Sequence, residues 1–271
     1  MPRSDRMGIT IGLVMLGLLL ASLIVLPVHQ ITLTVLGSEL ALRLDSAVQF
    51  GLILTVLVCV SVDLVVRSHP ELPDRSFGYS VTFWILPAIL TFSSFMLLSS
   101  ITWWLLRIMF ICIVGLLLYI IIAMQYRSID RQGNTALRAR LVLQVAVYLA
   151  ALLFFIIISS AAMRAIVSAS AVLFASALLS LELIRELEAR SWRIWLYAIL
   201  IGLMMSEIKW AMNYIKLDAR IGGALLLLLF YGLTGLTQSY LLKRLTRRVS
   251  IEFGLITTLC MLALVLLSRS L

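Results

Sequence analysis

The sequence predicts an all-α transmembrane helical bundle of about nine spans, with one short extracytoplasmic β-hairpin between spans 1 and 2. Three observations carry this. Of 271 residues, 62% are hydrophobic and only 13% are charged, where a soluble domain carries about a quarter charged residues. The mean hydropathy is +1.10. Apolar runs long enough to cross the hydrocarbon core, which takes about 20 residues, recur along the whole chain.

The expected spans are 8–28, 47–66, 81–98, 102–124, 137–159, 165–186, 192–213, 221–243 and 250–267. Short connections between them suit antiparallel neighbours in a single polytopic membrane domain, 1–271. The first span follows Arg3 and Arg6, as a secretory signal would. Its length and its lack of a small-x-small cleavage site before His29 make it an anchor instead.

Basic residues set the orientation. With the N-terminus inside, the inner segments hold Arg3, Arg6, Arg67, Arg75, Arg127, Arg131, Arg138, Arg140, Arg185, Arg190, Arg193, Lys243, Arg244, Arg247 and Arg248. The outer segments hold only Arg43, Arg164, Lys216, Arg220 and Arg269. That asymmetry is the positive-inside pattern and predicts a cytoplasmic N-terminus and an extracytoplasmic C-terminus. It also accounts for the net charge of +9 without nucleic acid as a partner.

Residues 31–44 read as the hairpin. Two six-residue alternating stretches flank Gly37 and Ser38, and Gly at the first central position suits a type II′ turn. Pairing across that turn sets Leu36 opposite Glu39, Val35 opposite Leu40, Leu33 opposite Leu42 and Ile31 opposite Leu44. One face is then wholly apolar. A lone hairpin is marginal in water, so it is expected to lie against the outer end of the bundle.

A parallel repeat, 47–159 and 165–267, is a further expectation. Asp63 and Arg67 close the second span as Glu182 and Arg185 close the sixth, and Phe83-Trp84 opens the third as Ile194-Trp195 opens the seventh.

Charges inside a bilayer are costly and are functional candidates by default. Asp63 with Arg67 and Glu182 with Arg185 are expected to form ion pairs at the inner ends of their helices. Arg107, Glu207 and Lys209 lie roughly 7–10 Å below the outer boundary by helix rise. Together with Ser206 and Asn213 they make up a candidate intramembrane polar site. Arg107 is expected to pair with Glu207 while Lys209 snorkels outwards. Trp103, Trp104, Trp210 and Tyr214 mark an outer aromatic belt, Trp192 and Trp195 an inner one. Small residues in the sixth span and Gly232, Gly235 and Ser239 in the eighth permit close helix approach.

Cys59, Cys112 and Cys260 are scattered and odd in number, and give neither a disulfide framework nor metal spacing. No catalytic residue, cofactor or metal is expected.

The stretches Leu36-Gly-Ser-Glu-Leu40, Val62-Asp-Leu-Val-Val-Arg-Ser-His-Pro70 and Trp84-Ile-Leu-Pro-Ala88 resemble uncharacterised multi-spanning membrane proteins of green non-sulfur bacteria. The resemblance covers about the first third of the chain and implies no activity. The expected location is a bacterial inner membrane. The expected role is an accessory or scaffold subunit of a membrane complex, its partners being the lipid bilayer and either other membrane subunits or copies of itself. The alternative is a transporter of a small solute, ion or lipid that uses Arg107 and Glu207. A membrane enzyme is a third class, which the absence of a clustered acid, base and metal set disfavours.

Overall fold

The computed structural model describes residues 3–23, 27, 29–35, 38–44, 46–67, 77–129, 134–161, 164–185, 191–214, 218–243 and 254–255. It contains helices α1 (Arg3–Leu23), α2 (Ser46–Arg67), α3 (Phe77–Leu98), α4 (Trp104–Ser128), α5 (Asn134–Ser160), α6 (Ala165–Ile184), α7 (Ser191–Met212) and α8 (Ala219–Leu241). Strands β1 (His29–Val35) and β2 (Ser38–Leu44) lie between α1 and α2. Among the described residues, seven helices, α2 to α8, are long and apolar enough to cross a membrane. In α1 the described apolar stretch is the shorter Gly8–Leu20. The ninth expected span, 250–267, lies outside the described residues except for 254–255.

The hairpin's register departs from expectation. β1 and β2 are antiparallel with Val35 opposite Ser38, Leu33 opposite Leu40, Ile31 opposite Leu42 and His29 opposite Leu44. Ser38 is therefore a strand residue and not part of the turn. The connection is 36–37, which lies outside the described residues. The shift is by two residues. A slip of one would exchange the faces, whereas a slip of two leaves the alternation intact, so the apolar pattern alone could not select the register.

The chain divides into two compact units, Met1–Leu143 and Gln144–Leu271, with the division inside α5. In the first unit α2 and α3 form the most extensive helix pair, α3 also packs on α4, and α1 packs on α2 and α4. In the second, α6 and α7 form the most extensive pair, with α8 against α7 and, less closely, α6.

Each pair has its own packing chemistry. A Cβ on Gly51 of α2 would sit 3.3 Å from the Phe92 ring of α3, a tight fit against a side chain, so that the ring would have to give by a few tenths of an ångström. A Cβ on Gly202 of α7 would sit 2.7 Å from the Leu173 carbonyl oxygen of α6 and 2.9 Å from the Ala177 Cβ. Only glycine permits that backbone approach. Ser168, Ala169, Ala175, Ser176 and Ser180 are buried on α6, the small-residue surface that close crossings in membranes use. Buried Phe155 of α5 meets Phe230 of α8 edge-on, with ring centroids 6.0 Å apart.

Candidate functional site

The expected outer polar residues are distributed between the two units. Arg107, in the first, sits one turn into α4. Its Nε donates to the Ile101 carbonyl at 2.6 Å, so the guanidinium folds back on the turn that joins α3 to α4. That turn is closed by Ser100 N–H to Leu97 O at 3.0 Å and Ile101 N–H to Leu98 O at 3.2 Å.

Ser206, Glu207, Lys209 and Asn213 belong to the second unit. Glu207 is exposed and has no hydrogen-bonding or ionic partner within its own unit among the described residues. Ser206 is half-buried. Asn213, just past the end of α7, donates its side-chain N–H to Ser168 Oγ of α6 at 3.1 Å. Lys209 corrects the reading from sequence: it is buried, with 6% of its surface exposed. Ile194, Ala198, Ile201, Met205, Lys209 and Met212 recur at helical spacing and are all buried. Helix phase thus sends the lysine inward and Glu207 outward. Chain length suggested snorkelling, but phase decided.

At the other end of each unit stands an acid–arginine pair. Arg67 Nε lies 2.8 Å from Asp63 Oδ2, and Arg185 Nη2 lies 3.0 Å from Glu182 Oε1. Their surroundings differ. The Arg67 and Asp63 side chains keep 42% and 18% of their surface exposed, against 12% and 3% for Arg185 and Glu182. The second oxygen of Asp63, Oδ1, is buried without a hydrogen-bond partner.

Two glutamines that sequence reading passed over carry the interior polar chemistry. Pro87 lies inside α3. Having no N–H, it cannot bond the carbonyl four residues earlier, which is that of Phe83. Gln125 of α4, buried to 1% exposure, donates its side-chain N–H to that same Phe83 carbonyl at 3.0 Å. In the second unit Gln238 of α8 donates to Leu183 O at 3.4 Å. Leu183 lies in the last turn of α6, where carbonyls have no partner within the helix. The shared signal is an amide inside an apolar run, costly in lipid unless bonded.

The remaining interior hydroxyls bond largely to their own helices: Thr91 to Pro87 O at 2.7 Å, Ser94 to Leu90 O at 2.7 Å and Thr234 to Phe230 O at 2.7 Å. Tyr148 of α5 reaches Thr234 of α8 across 3.1 Å. Among the described residues, no three His, Cys, Asp or Glu side chains gather as a metal centre would need.

The family described as "Protein of unknown function (DUF5656)" matches residues 26–267, and the chain belongs to it. No curated protein and no solved structure matches.

Proposed function

We propose that this member of a family of unknown function is a nine-span membrane protein, cytoplasmic at its N-terminus, that serves as an accessory or scaffold subunit of a membrane complex. One observation carries the reading: two side-chain amides bond backbone carbonyls of neighbouring helices. Gln125 of α4 donates to the Phe83 carbonyl of α3 and Gln238 of α8 to the Leu183 carbonyl of α6, while the hydroxyls of Thr91, Ser94 and Thr234 bond one turn back within their own helices. Such an interior stabilises a fixed arrangement of helices. A transport pathway instead needs polar groups directed at a cargo, near the midplane.

The proposed architecture is a duplicated module, 47–159 and 165–267, preceded by one extra helix. In support, packing follows the same order within each unit: α2 on α3, then α3 on α4, as α6 on α7, then α7 on α8. Each module also has an acid–arginine pair near the end of its first helix and a carbonyl-bonding glutamine near the end of its third.

The test is to extract the full chain from its native membrane in mild detergent and measure the mass and composition of the particle. A reproducible partner at fixed stoichiometry supports the accessory role. A chain that emerges alone and moves a solute in reconstituted vesicles overturns it.

A further inference from the structure

We propose that the outward seam of α7 is a docking surface for a transmembrane helix of another membrane protein, one carrying a Lys or Arg opposite Glu207. This deepens the accessory reading and rests on it. Leu196, Leu200, Leu203, Glu207, Trp210 and Tyr214 are all exposed and are spaced alternately four and three apart. An alternation averaging 3.5 residues keeps a straight stripe along a helix, the pattern by which one helix seats against another. The opposite side of α7 is already used, with Ala198, Ile201 and Met205 buried and Gly202 close against α6.

Glu207 is the single charge on this stripe. It stands five residues before the end of α7, about 7.5 Å below it by helix rise, at a depth where a lone carboxylate is costly. Lipid tails cannot offset that cost. A basic side chain at the same depth can, and it would fix both register and identity of the partner, as a single charged position does between helices. At the outer end the Trp210 indole N–H donates to the Tyr214 hydroxyl at 3.3 Å, which anchors the seam at the interface. Inward of Glu207 the stripe is all leucine, so the partner helix should be apolar there.

The experiment places a photo-crosslinking amino acid at Leu203 of the full chain, in its native membrane, and identifies the adduct by peptide mass spectrometry. The expected adduct is a transmembrane peptide of a different protein, with Lys or Arg within one turn of the crosslinked residue. Glu207→Lys should lower its yield at least tenfold, and changing the partner's basic residue to Glu in that background should restore it. Glu207→Gln, with a monodisperse elution profile as the folding check, should lower the yield without charge reversal. Adducts confined to lipid or to a second copy, or a yield indifferent to both Glu207 substitutions, overturn the proposal. A stoichiometric partner that crosslinks from Leu105 on α4 but not from Leu203 overturns the seam and leaves the accessory role standing. A chain with no partner at all removes both.

Discussion

In the first unit α2 and α3 meet through rings, Gly51 lying against Phe92 and Phe95. In the second, α6 and α7 meet through small side chains, close enough for Gly202 to press on the Leu173 backbone. The same contrast reaches the ion pairs: Asp63–Arg67 stays partly exposed, while Glu182–Arg185 is almost fully enclosed. The second unit therefore places its small residues and its acid–arginine pair where little room is left to absorb an error. The first is padded by bulky side chains that can adjust. Similar order of packing does not impose similar tolerance, because tolerance depends on what lies within the next ångström.

The largest difference is expected at the arginines. Removing one partner of a buried ion pair costs about 3–5 kcal/mol, so Arg185→Leu should lower the midpoint of unfolding in detergent steeply. Arg67→Leu acts on a pair whose arginine is exposed and whose Asp63 is half-buried, and should lower it distinctly less. Equal losses would show that the two pairs sit in equivalent surroundings, and the contrast would fail.

Next come the glycines. Gly202→Leu forces apart two backbones and should cost at least the ~1–3 kcal/mol typical of overpacking. Gly51→Ala meets side-chain atoms only, the Phe92 ring at 3.3 Å and Phe95 Cβ at 3.4 Å, and should cost less than the ~1–3 kcal/mol of overpacking if the ring yields a few tenths of an ångström. Thermal stability of the purified variants separates the two.

The glutamines give a sharper and smaller test. Gln125→Leu removes the side-chain donor that reaches the Phe83 carbonyl and should cost about 1–3 kcal/mol. Pro87→Ala lets α3 bond that carbonyl itself, so the cost of Gln125→Leu should nearly vanish in the Pro87→Ala background. A double-mutant cycle with no coupling energy would refute the assignment. Gln238→Leu, losing a longer bond of 3.4 Å, should cost less than Gln125→Leu, about 1 kcal/mol or below.

Hydropathy located these helices well because lipid imposes one strong rule on every span. The expected 47–66 and 192–213 correspond to Ser46–Arg67 and Ser191–Met212. Ends drifted where the backbone keeps its hydrogen bonds beyond the apolar run, as at Phe77 of α3 and Ser128 of α4. What sequence could not supply was pairing at a distance. Pro87 was visible as an interruption, yet nothing local connects it to Gln125 in another helix. Nor did composition fix which of two ionisable residues in α7 faces inward. That follows from helix phase against a neighbour, and Lys209 shares the buried side of α7 with Ala198, Ile201 and Met205 for this reason. The hairpin shows the same limit, since alternation holds under a shift of two residues.

The link from Gln125 to the Phe83 carbonyl also bears on how the chain is made. Alone in lipid, α3 would lack the Gln125 donor that meets its Phe83 carbonyl, and a backbone carbonyl short of donors there is costly. α4 supplies the missing donor, and only the short turn at Ser99–Trp103 separates the two helices. The translocon should therefore release α3 and α4 together, as one hairpin, once Gln125 has emerged from the ribosome. Held back until its sequel arrives, α3 sets the pace at which the first half of the protein enters the bilayer.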